Sequence, residues 1–141
     1  MQVVKLHVPA RLDYRELATR TVALVCKVAI SRGQSGAQRE ELTNELVSAV
    51  GEAFNNVVLH GYRGSLNGDL SIVTEFDAKR IVVELLDNGA SFDPAAVAVP
   101  DLGGLPESGL GLYIIRSFAD EVEYSAGPPN VLRLVKFLPA S

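Results

Sequence analysis

The chain has 141 residues, 48% of them hydrophobic, with a formal net charge of −4 and a pI of about 5.1. That size and apolar content suit one domain over residues 1–141 with its own core and exclude a disordered chain, and an acidic chain without a basic patch is not expected to bind nucleic acid directly. No apolar run nears the roughly 20 residues that span a bilayer, no charged segment followed by an apolar one opens the chain, and the lone Cys26 has no internal disulfide partner, so a soluble cytoplasmic protein with no membrane partner is expected.

Residues 3–8 alternate as a first strand, closed by Pro9. Asp13 is placed to cap a helix running to about Ile30, with Leu17, Thr21, Leu24, Val25 and Val28 at helical spacing as its apolar positions. Arg11, Arg15 and Arg20 lie on or near it, as a solvated basic edge or a partner-docking surface. Residues 31–36, with two glycines, read as a flexible connection. The longest helix follows over about 38–59, burying Leu42, Leu46, Ala49, Val50, Ala53 and Val57, with Gly61 as its stop.

Residues 69–76 and 80–87 form a hairpin around Asp77-Ala78-Lys79. Residues 90–108 are irregular and rich in proline and glycine, the length and composition of a functional loop. Gly109-Leu110-Gly111-Leu112 opens a helix through about Ala119, and residues 121–125 and 130–138 make a last hairpin. This order predicts an α+β two-layer sandwich: a mixed, largely antiparallel sheet of about five strands, covered on one face by three helices.

Three groups of residues carry chemistry. Glu52, Asn56 and His60 recur at i, i+4 and i+8 on the long helix, each step turning by only about 40°, so they share one stripe. Asp87 ends a strand, where it can accept a hydrogen bond from an amino group such as that of adenine, and Gly89 permits a flat ring to approach the backbone; a plain turn would use the same residues. Gly109-x-Gly111 at a helix start offers free N–H groups to an anion such as phosphate. It is neither a Walker loop nor a dinucleotide fingerprint. His60 suits a helix-end structural role, and Cys26 a core thiol.

Taken in order, Glu52-x-x-x-Asn56, Asp87-x-Gly89 and Gly109-Leu110-Gly111-Leu112 resemble the N, G1 and G2 boxes of the GHKL nucleotide-binding superfamily. Phe92-Asp93-Pro94, the stretch from Leu105 to Arg116, and Asp120-Glu121-Val122-Glu123-Tyr124 bring the resemblance nearest to the anti-sigma factor serine/threonine-protein kinases. The resemblance implies the Bergerat sandwich, with ATP under a lid formed by residues 90–108. It implies Glu52 as catalytic base, Asn56 as Mg²⁺ ligand, Asp87 and Gly89 at the adenine, and Gly109, Leu110, Gly111 and Leu112 at the phosphates. It further implies a homodimer that binds a sigma factor and phosphorylates a STAS-domain anti-anti-sigma protein. No Lys or Arg occurs between Arg80 and Arg116, so a nucleotide-gated partner-binding module with little or no kinase activity is the alternative.

Overall fold

The computed structural model describes residues 1–30, 36–63, 65–91 and 107–139, without the side chains of 107–110. The elements are β1 (Gln2–Pro9), α1 (Arg15–Ala29), α2 (Gly36–Asn56), β2 (Asp69–Phe76), β3 (Arg80–Asp87), α3 (Glu107–Phe118), β4 (Glu121–Ser125) and β5 (Asn130–Phe137). A 3₁₀ turn over Leu12–Tyr14 precedes α1, and a π-helical turn over Val57–Gly61 continues α2. The strands form one five-stranded sheet of order β1-β2-β3-β5-β4, antiparallel at every pairing.

Strand alternation decides which face the helices cover. Leu70, Ile72 and Thr74 of β2 are buried, and their partners in β3, Asp87, Leu85 and Val83, are buried with them. Leu132 and Leu134 of β5 continue the same face. Against it pack Val22 and Cys26 of α1, Leu46, Ala49, Val50, Ala53 and Phe54 of α2, and Leu112 and Ile115 of α3. The three helices thus cover one side of the sheet, as expected. The β2–β3 turn is closed by Asp77, whose Oδ1 accepts the N–H groups of Lys79 (2.8 Å) and Arg80 (3.1 Å). The Lys79 N–H, with Arg80 also contributing, holds that carboxyl below its usual range.

The first helix departs from expectation twice. Asp13 does not cap it: the residue lies inside the 3₁₀ turn, and its carboxylate is held by Arg11. The buried face is Ala18, Thr19, Val22, Val25 and Cys26, so of the five apolar positions expected only Val25 is buried. Leu17, Leu24 and Val28 stand on the outside. The helix carries two apolar stripes, and the one with smaller side chains packs against α2 and the sheet.

Lys136 is a charged side chain in the helix–sheet layer. It projects from β5, pairs with Glu45 of α2, and donates to the Phe118 carbonyl at the end of α3 (2.8 Å). A cation at a helix C-terminus meets the negative end of the dipole, and here it also joins α2, α3 and β5. No helix among the described residues is long and apolar enough to cross a membrane. Most of the expected lid, and most of the 31–36 connection, lie outside the described residues.

Cys26 is fully buried, and burial pushes its thiol up to about 12 from 9.0. A thiol that ionises in the unfolded chain but not in the folded one leaves stability unchanged below about pH 9 and lowers it as pH rises toward 12. Chemical denaturation between pH 9 and 11 is therefore expected to show the wild type losing about 1 kcal/mol per pH unit more than Cys26→Ala. Parallel slopes would contradict a thiol kept neutral by the core.

Candidate functional site

The site is organised along the C-terminal half of α2. Ala49, Val50, Ala53 and Phe54 anchor that half in the core, and this fixes the direction of the stripe beside them. Glu52 is partly buried and Asn56 is buried. The helix then widens into the π-turn, a distortion that recurs at functional sites. Val57 and Val58 of that turn are buried, while Leu59 and His60 face solvent. His60 is thus exposed where Asn56, four residues earlier, is buried.

The second turn of α3 lies directly on this stripe. A Cβ at Gly111 would stand 3.1 Å from Glu52 Oε2 and 3.5 Å from Asn56 Oδ1. A side chain there would make Glu52 shift by a few tenths of an ångström, so glycine lets the two helices meet closely with a carboxylate and an amide between them. Leu112, the next residue, is buried and turns the helix into the core. The helix begins at Glu107, two residues earlier than its glycine run. Gly109 and Leu110 consequently fall in the first turn, where N–H groups have no intrahelical acceptor. Gly111 falls just beyond it and serves by close approach.

The other end of the site is the corner after β3. Asp87 is buried, and its Oδ1 accepts from the Gly89 N–H (2.8 Å) and from Asn130 Nδ2 (3.1 Å). Its Oδ2 takes no hydrogen bond from a described residue. The backbone of Gly89 presses against the end of the π-turn: a Cβ there would lie 2.5 Å from the Gly61 carbonyl oxygen. The Ala90 N–H closes the contact by donating to that oxygen (2.6 Å). Tyr62 braces the corner, donating to the Asp69 carbonyl and accepting from the Asn88 N–H. The structure thus brings Glu52, Asn56 and Gly111 together at one place on α2, and Asp87 and Gly89 at another, five residues farther along.

Asn130 is the residue that sequence reasoning missed. It is almost fully buried, and its Nδ2 also donates to the Gly89 carbonyl (2.8 Å). Its Oδ1 accepts from the Gly127 N–H (2.9 Å) and from the Ser91 hydroxyl. In sequence it reads as the last residue of a Gly-Pro-Pro-Asn turn. Its relation to Asp87 exists only through the β3–β5 register, in which the two are direct partners.

Comparison with known proteins agrees with this geometry. A family model described as the histidine kinase-like ATPase domain matches residues 15–136. The chain belongs to that family. Curated relatives within reach include the serine-protein kinases RsbW of Bacillus cereus (strain AH187) and of Bacillus thuringiensis (strain Al Hakam). Each is 26% identical, covering 96% of this chain and 84% of the relative. The same figures hold for RsbW of Bacillus anthracis (strain CDC 684 / NRRL 3495). The resemblance read from the three boxes is thereby shown, and the histidine kinase-like ATPase fold is the sandwich described above.

Asn130→Ala removes both donors to the Asp87–Gly89 corner and the acceptor for Gly127 and Ser91. Buried polar groups left without partners cost about 1–3 kcal/mol. Urea denaturation is expected to show an unfolding free energy lowered by that amount, and an unchanged value would show that Asn130 does not hold the corner.

Proposed function

We propose that this histidine kinase-like ATPase is an ATP- and Mg²⁺-dependent protein serine kinase acting as an anti-sigma factor. In this reading it works in the cytoplasm as a homodimer, binds a sigma factor, and phosphorylates a STAS-domain anti-anti-sigma protein that competes for it. The observation that carries the reading is the contact of Gly111 with both Glu52 and Asn56, one π-turn away from a buried Asp87 whose Oδ2 takes no hydrogen bond from a described residue. Its relatives' description as serine-protein kinases supports the same reaction class.

The roles follow from the chemistry of each group. Asp87 Oδ2 accepts from the adenine amino group, and the Gly89 backbone lies beside the ring. Oδ1 cannot take that part, because Gly89 and Asn130 already occupy it. The first turn of α3, with Gly109 and Leu110, presents N–H groups to the phosphates, and buried Leu112 anchors that turn. Asn56 offers an amide oxygen beside the Glu52 carboxylate, a hard-oxygen environment that suits Mg²⁺. When bound, the ion neutralises phosphate charge and polarises the γ-phosphoryl group.

Glu52 takes the proton of the attacking seryl hydroxyl. The new bond joins the seryl oxygen to the γ-phosphorus, the β–γ bond breaks, and ADP leaves with that electron pair. Most of the acceleration comes from alignment and charge neutralisation.

The test uses labelled ATP, Mg²⁺ and a STAS-domain protein from the same organism. Label is expected on a serine of that protein. Glu52→Ala is expected to slow transfer by about 100-fold or more, with nucleotide affinity retained. Asn56→Ala is expected to abolish the Mg²⁺-dependent part of ATP affinity, and an unchanged affinity would remove Asn56 from the metal. A stable complex with bound nucleotide and no transfer would leave a partner-binding module in place of a kinase.

A further inference from the structure

An apolar row on β5 ends in a lysine. Leu132, Leu134 and Lys136 are alternate positions on the face that the helices cover. A lysine is rarely buried unless paired, and this one is 7% exposed. Its ammonium donates to the Glu45 carboxylate of α2 and to the Phe118 carbonyl of α3 (2.8 Å), with Asp120 Oδ1 at 3.9 Å. Asp120 binds the neighbouring residues of the same strand. Its N–H donates to the Val135 carbonyl (2.8 Å), and its Oδ2 accepts from the Phe137 N–H (2.7 Å). The end of α3 is therefore fastened to β5 by directed bonds on both sides of Lys136.

Replacing a buried ion pair by apolar side chains of similar volume is often neutral or stabilising, so stability alone does not call for a lysine here. What the pair supplies is direction. Apolar contacts such as those of Leu112 and Ile115 hold two helices together without favouring one bond direction, whereas a hydrogen bond weakens steeply as its geometry changes. Gly111, at the other end of α3, has no side chain to resist sliding. The two ends are matched in spacing. Gly111 and Phe118 are seven residues apart on α3, and Glu52 and Glu45 are seven apart on α2. Gly111 meets Glu52, while Lys136 ties Phe118 to Glu45. The helices thus run antiparallel, with one contact at each end of the same two turns. Seven residues fall only about 20° short of two turns, so both contacts lie on one stripe of each helix. A slip of one residue would move α3 by about 1.5 Å, and a misplacement of about 1 Å can cost about 100-fold in rate.

We propose that Lys136, through Glu45 and the Phe118 carbonyl, is a positioning residue for the phosphate end of the site. It sets the register of α3 on α2, and so the place of the first turn of α3, with Gly109 and Leu110, relative to Asn56. The proposal rests on the nucleotide reading, in which that turn faces the phosphates.

Lys136→Met alone would leave Glu45 without its cation, so the test pairs it with Glu45→Met. The double variant keeps the net charge of the chain and an apolar filling of the layer, and it is expected to fold. In ¹H–¹⁵N spectra without ligand, its Gly111 amide is expected to shift while the Gly89 amide stays in place. In titration calorimetry with Mg²⁺, inorganic triphosphate is expected to bind about tenfold more weakly than to the wild type, with adenosine affinity unchanged. A Gly111 amide that does not move, or triphosphate bound as by the wild type, would overturn the role given to Lys136. So would equal loss for triphosphate and adenosine, or a double variant that does not fold, since the pair would then only hold the structure together. A wild type that binds neither ligand would instead overturn the nucleotide reading, and this role with it, even where Gly111 moves.

Discussion

The carboxylate of Asp87 is removed from water at the end of β3, and the pairing of β3 with β5 is what makes that position tolerable. A buried carboxylate without partners would be strongly disfavoured. Asn130, its partner in the register, supplies one donor, and the turn it helps to shape supplies the Gly89 N–H. Both bonds go to the same oxygen. The geometry therefore fixes the carboxylate through one oxygen, while the other takes no hydrogen bond from a described residue. Asn130 also binds Gly127 and the Gly89 carbonyl, so the last hairpin and the corner after β3 act as one unit.

Helix α3 is held at both ends by different physics. At its N-terminal side Gly111 lets the backbone come up to Glu52 and Asn56. At its C-terminal end Lys136 joins the Phe118 carbonyl to Glu45 of α2. Glu45 and Glu52 lie on the same helix, so α2 is the common rail along which both contacts are set. The position of α3's first turn relative to Asn56 is thus an outcome of helix packing as much as of the glycine motif itself.

Much of this was legible in the sequence. The β2–β3 hairpin follows from strict alternation and an Asp turn, and its observed limits, Asp69–Phe76 and Arg80–Asp87, are those of the pattern. The buried side of α2 was legible because its apolar positions recur at helical spacing without a rival stripe. On α1 a rival existed: the larger Leu17, Leu24 and Val28 look more core-like than Ala18, Val22 and Cys26, and hydrophobicity alone picks the wrong side. Asp13 looked like a cap because caps are local, but Arg11 two residues away takes its carboxylate. Asn130 and Lys136 could not be found locally, since Asn130 acts on Asp87 at a separation of 43 residues and Lys136 on Glu45 at 91. Among the motif residues, His60 lies in the π-turn that departs from the 3.6-residue period after Asn56, and it is exposed.

The central claim is that one nucleotide reaches from Asp87 to the Asn56–Gly111 contact. Titration calorimetry of ATP and of inorganic triphosphate, each with Mg²⁺, against the wild type and Asp87→Asn tests it most directly. The account predicts that Asp87→Asn weakens ATP by about tenfold or more and leaves triphosphate affinity unchanged. Equal loss for both ligands, or no loss for ATP, would contradict it.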